Sequence, residues 1–411
     1  MKTKLLFLFL IVAGLSVSCD REDGDYTEVV VATPITMSVE DFRTSVVVTS
    51  PAPIEESGKI YAYKNYIFVN DMYKGIHVVD NSNPLVPKKI AFIEIIGNVD
   101  ISVKGDFLYA DSLTDLVVLD ISDIHDVKQV KRMEGVLQTN ISWPTEAAIY
   151  ETSDIDYKNE IIVGWDVKTE RRLKEEMPVI EWGVGEALNS FDAGNVGQGG
   201  SMARFKIVDT YLYAVDSHQI NIFDITNLKS PQVKEPVQAG FDIETIFNSG
   251  EYLFLGSRRG MYIYDLSNPA IPSFVSEFQH GTACDPVVVD GDYAYVTLRG
   301  GSFCGATESG LFIVDISNIQ NPVLLETYAM EEPYGLGFKD DKLFVCDGSA
   351  GLKVYNKTDV KNLQELNHFK NIITYDVIPM EEQLIMVGDQ TIYQYKYQDD
   401  KISLLSSLDL K

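Results

Sequence analysis

Six polar side chains stand at equivalent places along the chain, each about one short strand before a tight turn: Asp100, Arg204, Glu244, Asp285, Tyr334 and Asp376. If they converge, four carboxylates, an arginine and a tyrosine make the concave polar setting in which ligands are held. Facing carboxylates repel, so such a set either raises its own pKa values or recruits a cation. Calcium, or another hard cation, suits oxygen ligands of this kind. Asp285 with Asp376 would also serve acid–base cleavage of a glycosidic bond, given a suitable separation. The competing role is structural, because a polar residue at a strand start can simply accept hydrogen bonds from loop amides.

Other reactive constellations are missing. The chain has no Gly-x-Ser-x-Gly elbow and no His-Glu-x-x-His pair. Gly194-Asn195-Val196-Gly197 does not join a strand to a helix, so it is no phosphate cradle. His77, His125, His218, His280 and His368 are scattered without metal-ligand spacing. No catalytic residue is assigned, and a binding or scaffold role is expected over catalysis. The alternative is an extracellular hydrolase or lyase acting on glycan or peptide.

The elements that must position these residues come from a repeat. Gly75-Ile76-His77-Val78-Val79-Asp80, Leu116-Val117-Val118-Leu119-Asp120, Ile220-Asn221-Ile222-Phe223-Asp224, Met261-Tyr262-Ile263-Tyr264-Asp265 and Leu311-Phe312-Ile313-Val314-Asp315 are copies of one phrase. Weaker copies end at Asn356 and Lys396, and successive ends lie 40, 104, 41, 50, 41 and 40 residues apart. A Gly-Asp turn and an alternating strand precede the phrase, as in Gly105-Asp106-Phe107-Leu108-Tyr109, and a proline-marked link such as Asn81-Ser82-Asn83-Pro84 follows it. Four short strands per unit cannot hide both their faces alone, so the units must stack. Radial stacking gives an all-β fold, a seven-bladed β-propeller of four-stranded antiparallel blades, with few open edges.

The phrase and its Asp-Ile-Ser-Asn-Pro continuation resemble the LVIVD-repeat family of bacterial propeller proteins. The likeness extends to Met37–Arg43, Gly97–Asp100 and Tyr293–Arg299 and covers roughly 37–134 and 201–396. It is specific for fold and poor as a signature of function. Together with the N-terminal signals below, it implies an accessory role beside an outer-membrane nutrient-uptake complex, such as a TonB-dependent transporter with its lipoprotein lid.

Two lysines, an apolar stretch from Leu5 to Val17 and then Ser18-Cys19 describe a secretory signal peptide over 1–18. Leu15-Ser16-Val17-Ser18-Cys19 resembles a lipobox, which implies lipidation of Cys19 and outer-membrane anchoring. Asp20 to Asp25 resembles the acidic export tag of surface lipoproteins, so the chain is expected to face the cell surface, a periplasmic face being the alternative. Residues 19–36 read as a flexible leader and 37–411 as a single propeller domain. A net charge of −27 repels phosphate, which excludes nucleic acid.

Residues 135–200 lengthen one interval and hold Trp143, Trp165 and Trp182, with a basic patch at Lys168, Arg171, Arg172 and Lys174. They are expected to form an elongated hairpin from the second blade, with an eighth, degenerate blade as the alternative. The tryptophans are candidate ligand contacts or the insertion's own small core. Ring closure is assigned to Thr44–Ser50 as the outer strand of the last blade, with Ile402–Leu408 as its rival. Cys284 and Cys304 fall on one face and are expected to pair in an oxidising compartment. Cys346 reads as a buried small hydrophobe.

Overall fold

The computed structural model describes residues 26–138, 141, 143–173, 200–280, 286–300 and 309–411. These fall into two compact units, one within 39–141 and 191–411, the other within 1–38 and 142–190. In the larger unit, seven sheets follow one another along the chain, each of four successive antiparallel strands or a close variant. The innermost strands are Ser57–Tyr63, Ile101–Lys104, Phe205–Val208, Ile243–Ser249, Val287–Asp290, Leu336–Lys339 and Asp376–Pro379. In the third blade the outer place is shared by Gln232–Val233 and Val237–Gln238.

The repeated phrase is continuously apolar because its strand is covered on both faces. Leu116 and Val118 pack toward the third blade, while Val117 and Leu119 pack toward the first. Seven apolar clusters occupy the seven blade-to-blade interfaces, and the last joins Ile378, Ile385, Val387 and Ile392 of the seventh blade to Ile60, Ile67, Val69 and Val79 of the first. That last cluster closes the ring. The expected Gly-Asp turns are present: Gly105, Gly250 and Gly291 take positive φ at the first turn residue, as do Lys64, Asp209 and Asp340 in sister blades.

The phrase ends in Asp for a local reason. Asp80, Asp120, Asp224, Asp265 and Asp315 each accept the backbone N–H two residues on, at 2.6 to 3.0 Å, and Asn356 does the same for Thr358. A second such turn follows at Asn83, Asp123, Asn227, Asn268, Asn318 and Asp359. These carboxylates shape the links between third and fourth strands. Phenols of second strands then reach the link of the next blade: Tyr109 donates to the Leu228 carbonyl and Tyr213 to that of Pro269.

The structure reverses the proposed closure. Val47–Thr49 pairs with Lys88–Glu94 and adds a fifth strand to the first blade, whereas Ile402–Asp409 is the outer strand of the seventh. The seventh blade already has four strands of its own, so no N-terminal strand is needed there. The seventh blade and the residue after its last strand also carry the bonds across the seam. Lys89 Nζ donates to the Leu410 carbonyl at 2.7 Å, Ser406 to that of Pro84 at 2.6 Å, and Gln394 and Asn81 exchange side-chain bonds at 3.0 and 2.8 Å.

The smaller unit differs from expectation as well. Glu160–Leu173 does not grow as a hairpin from the second blade; it pairs antiparallel with Tyr26–Ser38, and Ile149–Tyr150 lies parallel on that strand's other flank. Residues 26–36, read as part of a flexible leader, are therefore strand. The sheet has three strands and does not reproduce a blade. Lys168 pairs with Asp166, Arg172 with Glu151 and Glu170, and Arg171 lies over the Tyr26 ring, which absorbs the basic patch where it is described; Lys174 lies outside the described residues. Among the described residues no helix is long and apolar enough to cross a membrane.

Candidate functional site

Inner strands of the larger unit begin at a common end, and there several predicted residues meet. Asp100 Oδ2 accepts the backbone N–H of Arg204 at 2.6 Å and of Phe205 at 3.0 Å, joining the second blade to the third. The same oxygen pairs with Lys59 Nζ of the first blade at 3.1 Å, and both side chains are buried. Behind it, Asp111 Oδ1 accepts the amides of Val99 and Asp100 and the side chain of Asn98, which in turn accepts from Asn70. Asp71 and Asp347 hold the corresponding amides of Glu55 and Glu56, and of Glu331 and Glu332. Carboxylates at the ends of second strands thus fix the loops that lead into first strands.

Asp376 is fully buried. Gly200 and Gly335 lie against it so closely that a Cβ at either would overlap its carboxyl oxygens. Burial pushes its pKa well above the carboxylate range, and the Val377 amide, Lys59 and the Ser201 amide offset this only in part. Burial raises Asp111 in the same way and lowers Lys59, against the pull of Asp100. Ser201 Oγ accepts the Leu336 N–H at 2.9 Å, which ties the third blade to the sixth.

One flank of this polar floor is half-exposed. The Arg299 guanidinium lies 4.0 Å from the centre of the Tyr334 ring. Tyr375 meets Tyr334 edge-on at 5.2 Å, and the Tyr334 hydroxyl donates to Glu332 at 3.2 Å. Glu244 occupies a β-bulge of the fourth blade and is half-buried. Asp285 lies outside the described residues, as do Trp182, Cys19, Cys284 and Cys304. Among the described residues no group of three or more His, Cys, Asp or Glu side chains could hold a metal ion. Near Asp100 the positive charges are Lys59 and Arg204, from this chain itself.

Lys59 was within reach of the sequence. Counting five residues back from Gly105 and Asp209 gives Asp100 and Arg204, and five back from Lys64 gives Lys59. The first blade obeys the same count as its sisters, although its turn is Lys64-Asn65. Arg299 and Tyr375 carry no comparable positional mark.

In the smaller unit, Trp143, Tyr150 and Trp165 pack on one another with ring centroids 4.6 to 5.6 Å apart. All three are half-buried, and they form this sheet's own aromatic core. Cys346 is buried between the sixth and seventh blades and unpaired, as expected of a small hydrophobe.

Comparison with known proteins agrees with this architecture. The LVIVD repeat family matches residues 56–89, 98–125, 244–279 and 280–330. No curated protein matches the chain. Among solved structures, the periplasmic gluconolactonase PpgL of Pseudomonas aeruginosa is similar with a TM-score of 0.52 and 10% identity, over 86% of this chain and 95% of that one. A functionally unknown protein from Desulfotomaculum acetoxidans gives 0.49 and 12%, over 85% and 95%. PorZ, a surface component of the type-IX secretion system of Porphyromonas gingivalis, gives 0.48 and 11%, over 87% of this chain and 39% of that one. At 10% identity the likeness to the gluconolactonase is one of fold alone. The chain is an all-β propeller built on LVIVD repeats.

Proposed function

We propose that this chain is a binding or scaffold module, held at the outer surface of the outer membrane by lipid on Cys19 and accessory to a nutrient-uptake complex of the TonB-dependent kind. The observation that carries the binding reading is the division of labour at the strand-start end. Lys59, Asp100, Asp111 and Asp376 are buried and serve one another and loop amides, while Arg299, Tyr334 and Tyr375 present a half-exposed stack beside them. A rigid aromatic face with a guanidinium suits a sugar ring or a peptide side chain. Proton-transfer chemistry has less support: burial raises the Asp376 pKa, the direction a general acid needs, but the carboxyl is sealed beneath Gly200 and Gly335. The hydrolase or lyase alternative predicts turnover of glycan or peptide that Asp376→Asn abolishes.

The lipobox-like sequence and the acidic run after Cys19 support anchoring and display. Cys284 and Cys304 complete the proposal as a disulfide of the exported protein, and disulfide mapping under non-reducing conditions that finds Cys284 as a free thiol would refute that pairing. The decisive experiment is affinity purification of the tagged full chain from detergent-extracted outer membranes. The expected result is recovery of a β-barrel transporter and its lipoprotein with the wild type, and loss of both with Cys19→Ser. Recovery of the chain alone, or unchanged membrane attachment of Cys19→Ser, would overturn it.

A further inference from the structure

The central channel has a second end, where the hairpin turns lie, and its chemistry differs from that of the strand-start end. A cavity of about 360 Å³ runs along the inner strands of the first four blades, from Gly200 and Ala203 to Lys104 and Asp209. Gly200 and Ala203 are buried, whereas Asp209, at a hairpin turn, is exposed, so the cavity opens at the turn end. Its size is that of a small-molecule pocket. Its wall is mixed: Phe247 is half-buried, Val103, Phe205 and Ile246 are already packed in the blade-to-blade clusters, and Tyr61, Ser102, Lys104 and Asp209 add polar groups.

Two lysines line it, and they are not equivalent. Lys104 Nζ donates to the Asp209 carbonyl. Lys206 is half-buried, lies 5.5 Å from the centre of the Phe247 ring and has no carboxylate within ion-pair distance among the described residues. In a chain with 61 acidic and 34 basic residues, a lysine left without an anion in a cavity is a costly arrangement unless something else supplies the negative charge. Burial holds its pKa below the ordinary lysine value, with no neighbouring anion to restore it.

We propose that this cavity is a binding site for a small organic monocarboxylate with a compact aromatic body, its carboxylate on Lys206 and its body against the Phe247 ring. A single charge is specified because one cation is unspent; an aromatic body is specified because the half-buried Phe247 ring lies beside that cation. The site rests on the binding reading above only in that the propeller takes a ligand, and it does not depend on membrane display or on a transporter partner.

The test is calorimetric titration of the purified full chain with phenylacetate, and with phenethyl alcohol as the neutral counterpart. Saturable binding of phenylacetate is expected, at least tenfold tighter than the alcohol. Lys206→Met should weaken it at least tenfold and Lys206→Arg should retain most of it, while Lys357→Met, on another blade, should leave it unchanged. Circular dichroism and melting curves check that each variant folds. Absence of saturable binding, equal affinity for acid and alcohol, or indifference to Lys206→Met in a folded protein overturns the proposal. None of these outcomes touches recovery of membrane partners, so the two readings fail separately.

Discussion

At Asp376 a single carboxyl has its protonation set by the packing of three blades. Gly200 and Gly335 close over it, and burial outweighs the help of Lys59 and two amides. A carboxyl whose folded pKa is raised binds its proton more tightly folded than unfolded. Its contribution to stability is therefore complete below the unfolded pKa and is lost as pH rises through the raised value. Asp376→Asn keeps the shape and removes the titration. The unfolding free energy of the variant relative to wild type should rise between about pH 4 and about pH 8. Denaturant melts at both pH values measure it, and a constant difference would mean that Asp376 stays ionised. Lys59 makes the opposite case. Lys59→Met leaves the Asp100 carboxylate buried without its cation and should cost about 3–5 kcal/mol. Adding Asp100→Asn, whose carbonyl can still accept the Arg204 and Phe205 amides, should recover a large part of that loss in a double-mutant cycle.

At the scale of elements, the seam between the last blade and the first decides which strand closes the ring. Leu410 is buried in that interface and its carbonyl receives both Lys89 and the Ile54 amide. Leu410→Ala should destabilise by about 2–5 kcal/mol and speed hydrogen exchange in both the first and the seventh blade. Val48 sits on a three-residue edge strand and is half-buried, so Val48→Ala should cost about 1 kcal/mol and affect only the first blade. Equal effects of the two substitutions would restore the N-terminal strand as a lock. Strands, turns and links of the blades were legible in the sequence because each is specified within about forty residues by turn chemistry and two-sided apolar strands. The pairing of Tyr26–Ser38 with Glu160–Leu173 was not. Its partners lie more than a hundred residues apart, and Pro34 argues against a paired strand when read alone. The contradiction is resolved by the shortness of Ile149–Tyr150, which pairs only with Val31 and Ala32 and leaves that flank of the strand an edge at Pro34. At the strand-start end, the count from the turns found Asp100, Arg204 and Asp376, whereas which of them face solvent depended on neighbouring blades that no single repeat encodes.

For the molecule as a whole, the proposed anchoring at Cys19 would set a distance. With a net charge of −27 the protein gains nothing from anionic head groups, so the proposed attachment would rest on the acyl chains alone. Only residues 20–25 separate Cys19 from the strand that begins at Tyr26. Six residues span at most about 20 Å, so lipid on Cys19 would hold the three-stranded sheet close to the lipid surface. All three tryptophans of the chain fall between 143 and 182, and so intrinsic fluorescence reports on this part of the chain. In lipidated protein reconstituted into vesicles, energy transfer from tryptophan to a dansyl-labelled head group should therefore be efficient. A twenty-residue Gly-Ser spacer placed after Asp25 adds about 25 Å of mean reach and should reduce that transfer severalfold, with the melting temperature unchanged. Equal transfer with and without the spacer would mean that something other than the lipid holds this sheet at the membrane. A partner in the membrane would then have to supply that contact, and depleting the membranes of protein before reconstitution would separate the two.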